Sequence, residues 1–459
     1  MIVLPPGLPK RFAAVAARCV AGKPAGPPPE VVCRTTDGEL TVSARLHNGV
    51  VLSFAVHSDV TTDAVLVVPF DVLTALSPVR ERVEVRLTRG LQTEARWTDP
   101  TGPRSHPFTA LKPGRPHDPM PDIREWVPCP AKVLAALHAC GQATVRNAPT
   151  PRYALDRLCL SGKGKRVIGS DGKVALLAGP FPLPFADDKL VPAVPVFGNP
   201  ELAGQTVVSV GHDNGFVAVK AGPWCVRLPV VSGRYPDVAS VIPKQRPTVG
   251  GVDEADAREL LSRLKTLPSG DDPDLPVTLV LDGGVGVLAT DDSRTERVKL
   301  SRSPAAGPAV RAAVNRSALA RALKLGCLTA KVWAADRPVV FEGDGVTLVA
   351  APLAEDDVVR DGVEAVTPAT PPTPATPDES PTHPALRRNV VKTDPPPHPH
   401  PPDSPDPLAL AEHLRQSLAD AHTTAARLVS ALRGRKKEQR ALSQVFASLK
   451  SLNLSAGGE

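Results

Sequence analysis

The sequence predicts an α+β protein: three tandem repeats of helices and antiparallel strands, then a proline-rich linker and a terminal amphipathic helix. Three observations carry this. One order of helix-like and strand-like segments recurs every roughly 110–120 residues through positions 1–353. Proline makes up 53 of 459 residues, more than twice the usual ~5 %, and 15 of them fall in the 41 positions 367–407. Beyond them a heptad seam begins.

The first repeat (1–127) opens with LPKRFAAVAARCV (8–20), whose apolar residues return at helical spacing. EVVCRTTDGELTVSAR (30–45) reads as a hairpin, two β-rich runs about an Asp-Gly turn. VLVVPFDVLTALSPV (65–79) reads as a strand running into a second short helix. The second repeat (128–245) restates the order in PAKVLAALHACG (130–141), YALDRLCLSGKGKRVIGSDGKVALLAG (153–179) and KLVPAVPVFGNPELAG (189–204). Prolines and a glycine inside the last of these predict a short or broken helix. The third (246–353) repeats it in DEADARELLSRLKTL (253–267), PVTLVLDGGVGVLATDD (276–292) and AVRAAVNRSALARALKLG (309–326). It closes on three strands, LTAKVWAA, RPVVFEGD and GVTLVAAPL. The first two repeats end alike, in PDIREWVP (121–128) and PDVASVIP (236–243). Helices of such units cover one sheet face. Units in tandem can join sheets edge to edge, and a suitable rotation closes them into a ring.

Residues 354–407 read as a disordered linker of polyproline character. After it Leu414, Leu418, Ala421, Ala425, Leu428, Leu432, Leu442, Phe446 and Leu449 follow steps of four and three, with Arg435 and Gln439 as polar interruptions. This predicts a coiled-coil-like helix over 408–454. A solvated amphipathic helix, an oligomerisation seam and a basic arm touching DNA are all compatible with it.

Composition excludes several classes. No apolar run approaches the ~18–20 residues of a membrane span, and charges stand where a signal peptide needs its apolar region. The seven cysteines (19, 33, 129, 140, 159, 225 and 327) form no CxxC pair, which points to reduced thiols in an intracellular core and not to a zinc site. GGVG (283–286) and SGKGK (161–165) sit at hairpin turns and lack the order of a phosphate loop. No nucleophile-elbow context is present, so neither catalysis nor a cofactor is expected. Residues 1–353 carry 42 Lys and Arg against 34 Asp and Glu, a balance that permits a polyanionic partner.

Residues 224–243, WCVRLPVVSGRYPDVASVIP, resemble the segment joining the second and third domains of the bacterial sliding clamp, the β subunit of DNA polymerase III. RYALDRLCLSGKGKRVIGSDGKVALL (152–177) resembles that family's second-domain hairpin, and 309–353, ending in VTLVAAPL, its last helix and terminal strands. The resemblance covers 1–353 and not 354–459. It implies three clamp domains per chain and a head-to-tail homodimer ring, with helices lining the hole and antiparallel sheets outside. Duplex DNA would pass through it without sequence preference. It further implies a non-catalytic processivity factor of bacterial replication, cytoplasmic and nucleoid-associated. The implied partners are the DNA polymerase III catalytic subunit, the clamp loader and other clamp-motif proteins, and no membrane.

A sliding ring needs cationic helix faces that meet phosphate without reading bases. The helix-like segments offer Lys10, Arg11 and Arg18; Lys132; Arg258, Arg263 and Lys265; and Arg316, Arg321 and Lys324. Each is otherwise an ordinary exposed helix charge, and Asp253, Glu254, Asp256 and Glu259 interrupt the set. Arg152 and Tyr153 match positions where the family touches DNA at the rim; Tyr153 either stacks on a base or packs on its hairpin. The resemblance also implies a partner-peptide pocket between the second and third domains, at Leu155, Ser170, Gly172, Lys173, Val174, Ala175, Pro243, Val249, Val349, Ala351, Pro352 and Leu353. These supply apolar walls for the anchors of a linear motif, or else simply an interdomain core.

The departures matter. Lys173-Val174 replaces the family's His-Arg, and Ala351 stands where a bulky Met is common. Arg294, Arg297 and Lys299 surround Glu296 where the family carries glutamates near its subunit interface. Changed charges there leave a second reading open: a clamp-like paralogue that scaffolds partners without encircling DNA.

Overall fold

Antiparallel pairing organises the chain from its first strand onward. The structure, a computed structural model, describes residues 1–22, 28–89, 91–112, 123, 125–145, 153–213, 215–269, 274–291 and 293–359. All lie in the first of the chain's two units, Met1–Ala369. Arg152, the linker from residue 360 and the expected helix 408–454 fall outside the described residues.

The elements run β1 (Ile2–Leu4), α1 (Leu8–Arg18), β2 (Glu30–Thr36), β3 (Glu39–Arg45), β4 (Val51–His57), β5 (Ala64–Pro69), α2 (Phe70–Ala75), β6 (Val83–Arg89), β7 (Gln92–Asp99) and β8 (Gly102–Thr109). The order then returns as β9 (Trp126–Cys129), α3 (Lys132–Gln142), β10 (Arg157–Ser161), β11 (Arg166–Ser170), β12 (Val174–Ala178), β13 (Lys189–Pro192), α4 (Pro200–Ala203), β14 (Val208–His212), β15 (Phe216–Ala221) and β16 (Trp224–Pro229). It returns again as β17 (Thr248–Gly251), α5 (Glu254–Arg263), β18 (Pro276–Leu281), β19 (Gly284–Thr290), β20 (Thr295–Ala306), β21 (Val310–Asn315), α6 (Arg316–Lys324), β22 (Thr329–Val332), β23 (Val339–Gly343) and β24 (Val346–Ala350).

Strand order shows the repetition directly. Three groups share one arrangement, β5-β2-β3-β4, β13-β10-β11-β12 and β21-β18-β19-β20; three share another, β1-β6-β7-β8, β9-β14-β15-β16 and β17-β22-β23-β24. Two joints fuse groups from successive repeats. β16 pairs with β4, setting Val226 opposite Leu52, and β24 pairs with β12, setting Leu348 opposite Leu176. Each joint removes two edges from solvent.

Sequence periodicity explains the layers. In β2 and β3 every second residue is buried, the pattern of a sheet covered on one face. Helix α1 buries Leu8, Phe12, Val15 and Ala16, and α6 buries Ala318, Leu319, Ala322 and Leu323, a stripe three and four residues apart. Where α3 meets β11, a Cβ on Gly169 would run into the Cys140 carbonyl, so only glycine lets helix and sheet meet this closely. The expected break in the second repeat is present: a single 3₁₀ turn at Pro195–Gly198 precedes the four-residue α4. Its Gly198 lies against the His138 ring, with no room for a Cβ.

All seven cysteines are buried with free thiols. The first residues of the stretch read as linker are held on the fold, because the Thr278 hydroxyl accepts from the Val359 amide at 2.8 Å and Arg311 donates to the Val359 carbonyl at 3.3 Å. Thr278 and Arg311 face each other across β18 and β21, two residues out of step, and together they bind the returning main chain. No helix among the described residues is long and apolar enough to cross a membrane.

Candidate functional site

The joint between β12 and β24 carries a small apolar cluster on one sheet face. All five residues of β12 are buried. Alternation sends Leu176 and Leu348 into the main core, while Ala175, Leu177, Val340, Val349 and Val238 form a separate cluster. Ile168, Tyr235, Ile242 and Trp333 pack against that cluster half-buried. The Tyr235 hydroxyl donates to the Ile168 carbonyl at 3.4 Å and the Trp333 indole N–H to the Gln245 carbonyl at 2.7 Å, which holds the 235–245 segment against this cluster.

The turn before β12 shapes one end. Gly172 takes φ 91°, a conformation glycine adopts without strain, and a Cβ there would touch Leu155 at 3.5 Å. The Ser170 hydroxyl donates to the Val174 carbonyl at 3.0 Å and accepts from the Gly172 amide at 3.1 Å. The Ala351 amide donates to the Lys173 carbonyl at 2.8 Å, extending the joint by one rung, and Lys173 Nζ holds Asp274 at 2.7 Å. Pro243, Pro352 and Leu353 are half-buried. The structure thus brings together Leu155, Ser170, Gly172, Lys173, Val174, Ala175, Val349 and Ala351. Val249 stands apart on β17, separated from β24 by two strands. Sequence reasoning missed Leu177, Val238, Val340 and Ile242. The signal was there: an unbroken apolar run in β12, in place of alternation, marks a strand covered on both faces.

The cations fall into two classes. Lys10, Arg18, Arg258, Lys265 and Lys324 are exposed on or just after their helices, as is Lys132, which pairs with Asp344 at 2.6 Å. The rest are engaged by protein. Arg11 grips Glu201 through two nitrogens at 2.6 and 2.9 Å. Arg263 reaches Glu296 at 3.2 Å and Glu259 at 3.4 Å, and Arg321 donates to the Gln142 carbonyl at 3.4 Å. Arg316 departs furthest from expectation. It is 7 % exposed, and its guanidinium donates to the carbonyls of Leu264, Leu267 and Pro268 at 3.2, 2.9 and 2.6 Å. Carbonyls beyond a helix end lack intrahelical donors; Arg316 supplies them to the turn that follows α5 and is withdrawn from any phosphate. Tyr153 is half-buried, with the Arg234 guanidinium 5.4 Å from its ring centroid.

No family model and no curated protein matches the chain. Solved structures do. The DNA polymerase sliding clamp of Pseudomonas aeruginosa aligns with a TM-score of 0.61, covering 77 % of this chain and 99 % of that one at 17 % identity. The DNA polymerase III β subunit of Borrelia burgdorferi gives 0.61 over 77 % and 97 % at 12 % identity, and the Bacillus subtilis sliding clamp 0.60 over 75 % and 97 % at 14 %. The fold is that of a bacterial sliding clamp. The match spans nearly the whole of each of those chains and about three quarters of this one, with few shared residues. What the fold demands of a sequence is a burial pattern and a strand order, both of which many side chains satisfy.

Proposed function

We propose that the chain is a DNA sliding clamp: a non-catalytic ring of two head-to-tail copies that encircles duplex DNA and tethers a replicative polymerase through the β12–β24 joint. The observation that carries the reading is an unfinished joint. β16 closes on β4 and β24 on β12. By the same strand order β8 is the counterpart of β16 and β24, and β20 the counterpart of β4 and β12. No described strand of the chain lies on the side of β8 away from β7, nor on the side of the Thr295–Leu300 part of β20 away from β19. A second copy completes both at once, joining like to like in a closed cycle.

In this reading the domains are 1–127, 128–245 and 246–353. Lys10, Arg18, Lys132, Arg258, Lys265 and Lys324 supply screened contacts to phosphate that hold without reading bases. The β12–β24 joint takes the apolar anchors of clamp-binding peptides, and the clamp loader and other motif-bearing proteins use it in turn. Light scattering on the full chain tests the ring: a mass twice 48.2 kDa, with retention on circular DNA and loss on linearised DNA, is the expected outcome. The second reading, a scaffold that does not encircle DNA, draws on the basic residues around Glu296; a stable monomer at every salt concentration would favour it.

A further inference from the structure

The internal joints fix the register of the missing one. Three hairpins lead into the joining strands, and their last pairs are Asp99–Gly102, Ala221–Trp224 and Gly343–Val346. Gly102, Trp224 and Val346 are therefore equivalent, as are Arg104, Val226 and Leu348. On the receiving side, tight turns close with Asp171 donating to Val174 and Asp291 donating to Arg294, so Leu176 of β12 corresponds to Glu296 of β20. Leu348 faces Leu176, and the equivalents of that pair are Arg104 and Glu296. The other joint agrees: Leu46 donates to Val50 in its turn, Leu52 stands two residues on, and Val226 faces it.

Resting on the ring reading above, we propose that two copies join with Arg104 opposite Glu296 and Ser105 opposite Thr295, in a joint weaker than either internal one. Two features make it weaker. An apolar pair sits at this position in both internal joints; here it is a charged pair on a partly solvated edge. Its members also extend an alternation of charge. Arg104 already holds Asp99 at 3.2 Å, and Glu296 holds Arg263, which holds Glu259. The assembled row runs Asp99, Arg104, Glu296, Arg263, Glu259 across the two copies.

The second feature lies in the main chain. The Ala110 amide donates inward to Leu91 and the Leu111 amide outward to Val67. The β7–β8 ladder has no register shift, so along β8 the residues pointing away from β7 are Pro103, Ser105, Pro107 and Thr109. Two of these four have no N–H to give. Thr347 and Val349 of β24, and Cys225 and Arg227 of β16, stand where Pro103 and Ser105 stand, and all four keep their donors. The joint between copies loses the rung at Pro103 that both internal joints keep.

Cysteine cross-linking of the full chain tests the register, because the native thiols are buried. The Arg104→Cys/Glu296→Cys chain should oxidise to a covalent dimer. Arg104→Cys/Arg297→Cys, whose side chains fall on opposite sheet faces, should not. Arg104→Glu or Glu296→Arg alone should raise the dimer dissociation constant roughly tenfold at low salt, and the double reversal should restore it. Pro103→Val should lower it. A dimer that cross-links only through the shifted pair, or that ignores the single reversals, overturns the register and leaves the ring standing. A chain monomeric at all concentrations and salts, and not cross-linked by either pair, overturns both.

Discussion

Arg11 and Glu201 lie 190 positions apart and meet in a two-pronged ion pair of 2.6 and 2.9 Å. The pair bridges α1 to α4 above the first joint. The guanidinium also stands 5.7 Å from the Phe54 ring and 6.0 Å from the Trp224 ring, and those two aromatics face each other across β4 and β16. Arg11 thus covers the seam between two sheets.

Glu201→Gln should cost about 1–2 kcal/mol in denaturant unfolding at pH 7, since the pair is forked but partly exposed. The hydrogen bonds from Arg11 hold the Glu201 carboxyl below its ordinary 4.5. Its contribution is therefore complete above that value and is lost as pH falls through the depressed one. The wild-type and Gln variants should converge in stability when melted at progressively lower pH.

Arg316→Ala should destabilise by about 2–4 kcal/mol, because three buried carbonyls lose their donor together. Lys324→Ala, eight residues on and exposed, should leave the melting temperature unchanged. If DNA retention is cationic and unspecific, Lys324→Ala should instead reduce the salt concentration at which circular DNA is released. Melting curves and salt-release profiles of the two variants separate structural from DNA-directed arginines and lysines.

Leu353→Asp should abolish capture of a peptide bearing two apolar anchors and leave the fold intact, since Leu353 is half-buried just beyond β24. Fluorescence anisotropy with a labelled clamp-binding peptide measures it. Unchanged affinity would move the peptide site elsewhere.

Burial pushes the thiols of Cys19, Cys33 and Cys159 up to about 12, from an ordinary value of 9.0. In the unfolded chain they ionise near 9.0, so unfolding releases protons above that pH. Stability from these groups is full below pH 9 and declines as pH rises toward 12. Alkaline melts should show the decline, and native protein at pH 8 should resist thiol labelling that proceeds at once in denaturant.

Much of this was legible in the residues. EVVCRTTDGELTVSAR became β2 and β3 about Asp37-Gly38, and the proline-broken VPVFGNPELAG became one 3₁₀ turn and a four-residue helix, because turn chemistry and proline act locally. The joints were less legible. Nothing near Leu52 in sequence announces Val226, since edge pairing depends on how whole sheets present themselves. Arg316 misled for the same reason: its neighbours read as an exposed helix start, and the carbonyls it serves lie 48 to 52 positions upstream.

The prolines of β8 have a consequence for a chain alone in solution. A molecule with a complete adhesive strand at one end and a matching acceptor at the other would grow by endless addition, each newcomer exposing a fresh end. Missing donors at positions 103 and 107 blunt that growth. A closed circle makes two such contacts reinforce each other, whereas the tip of an open filament has only one, so a poor strand at a single end favours the finite assembly over the fibre.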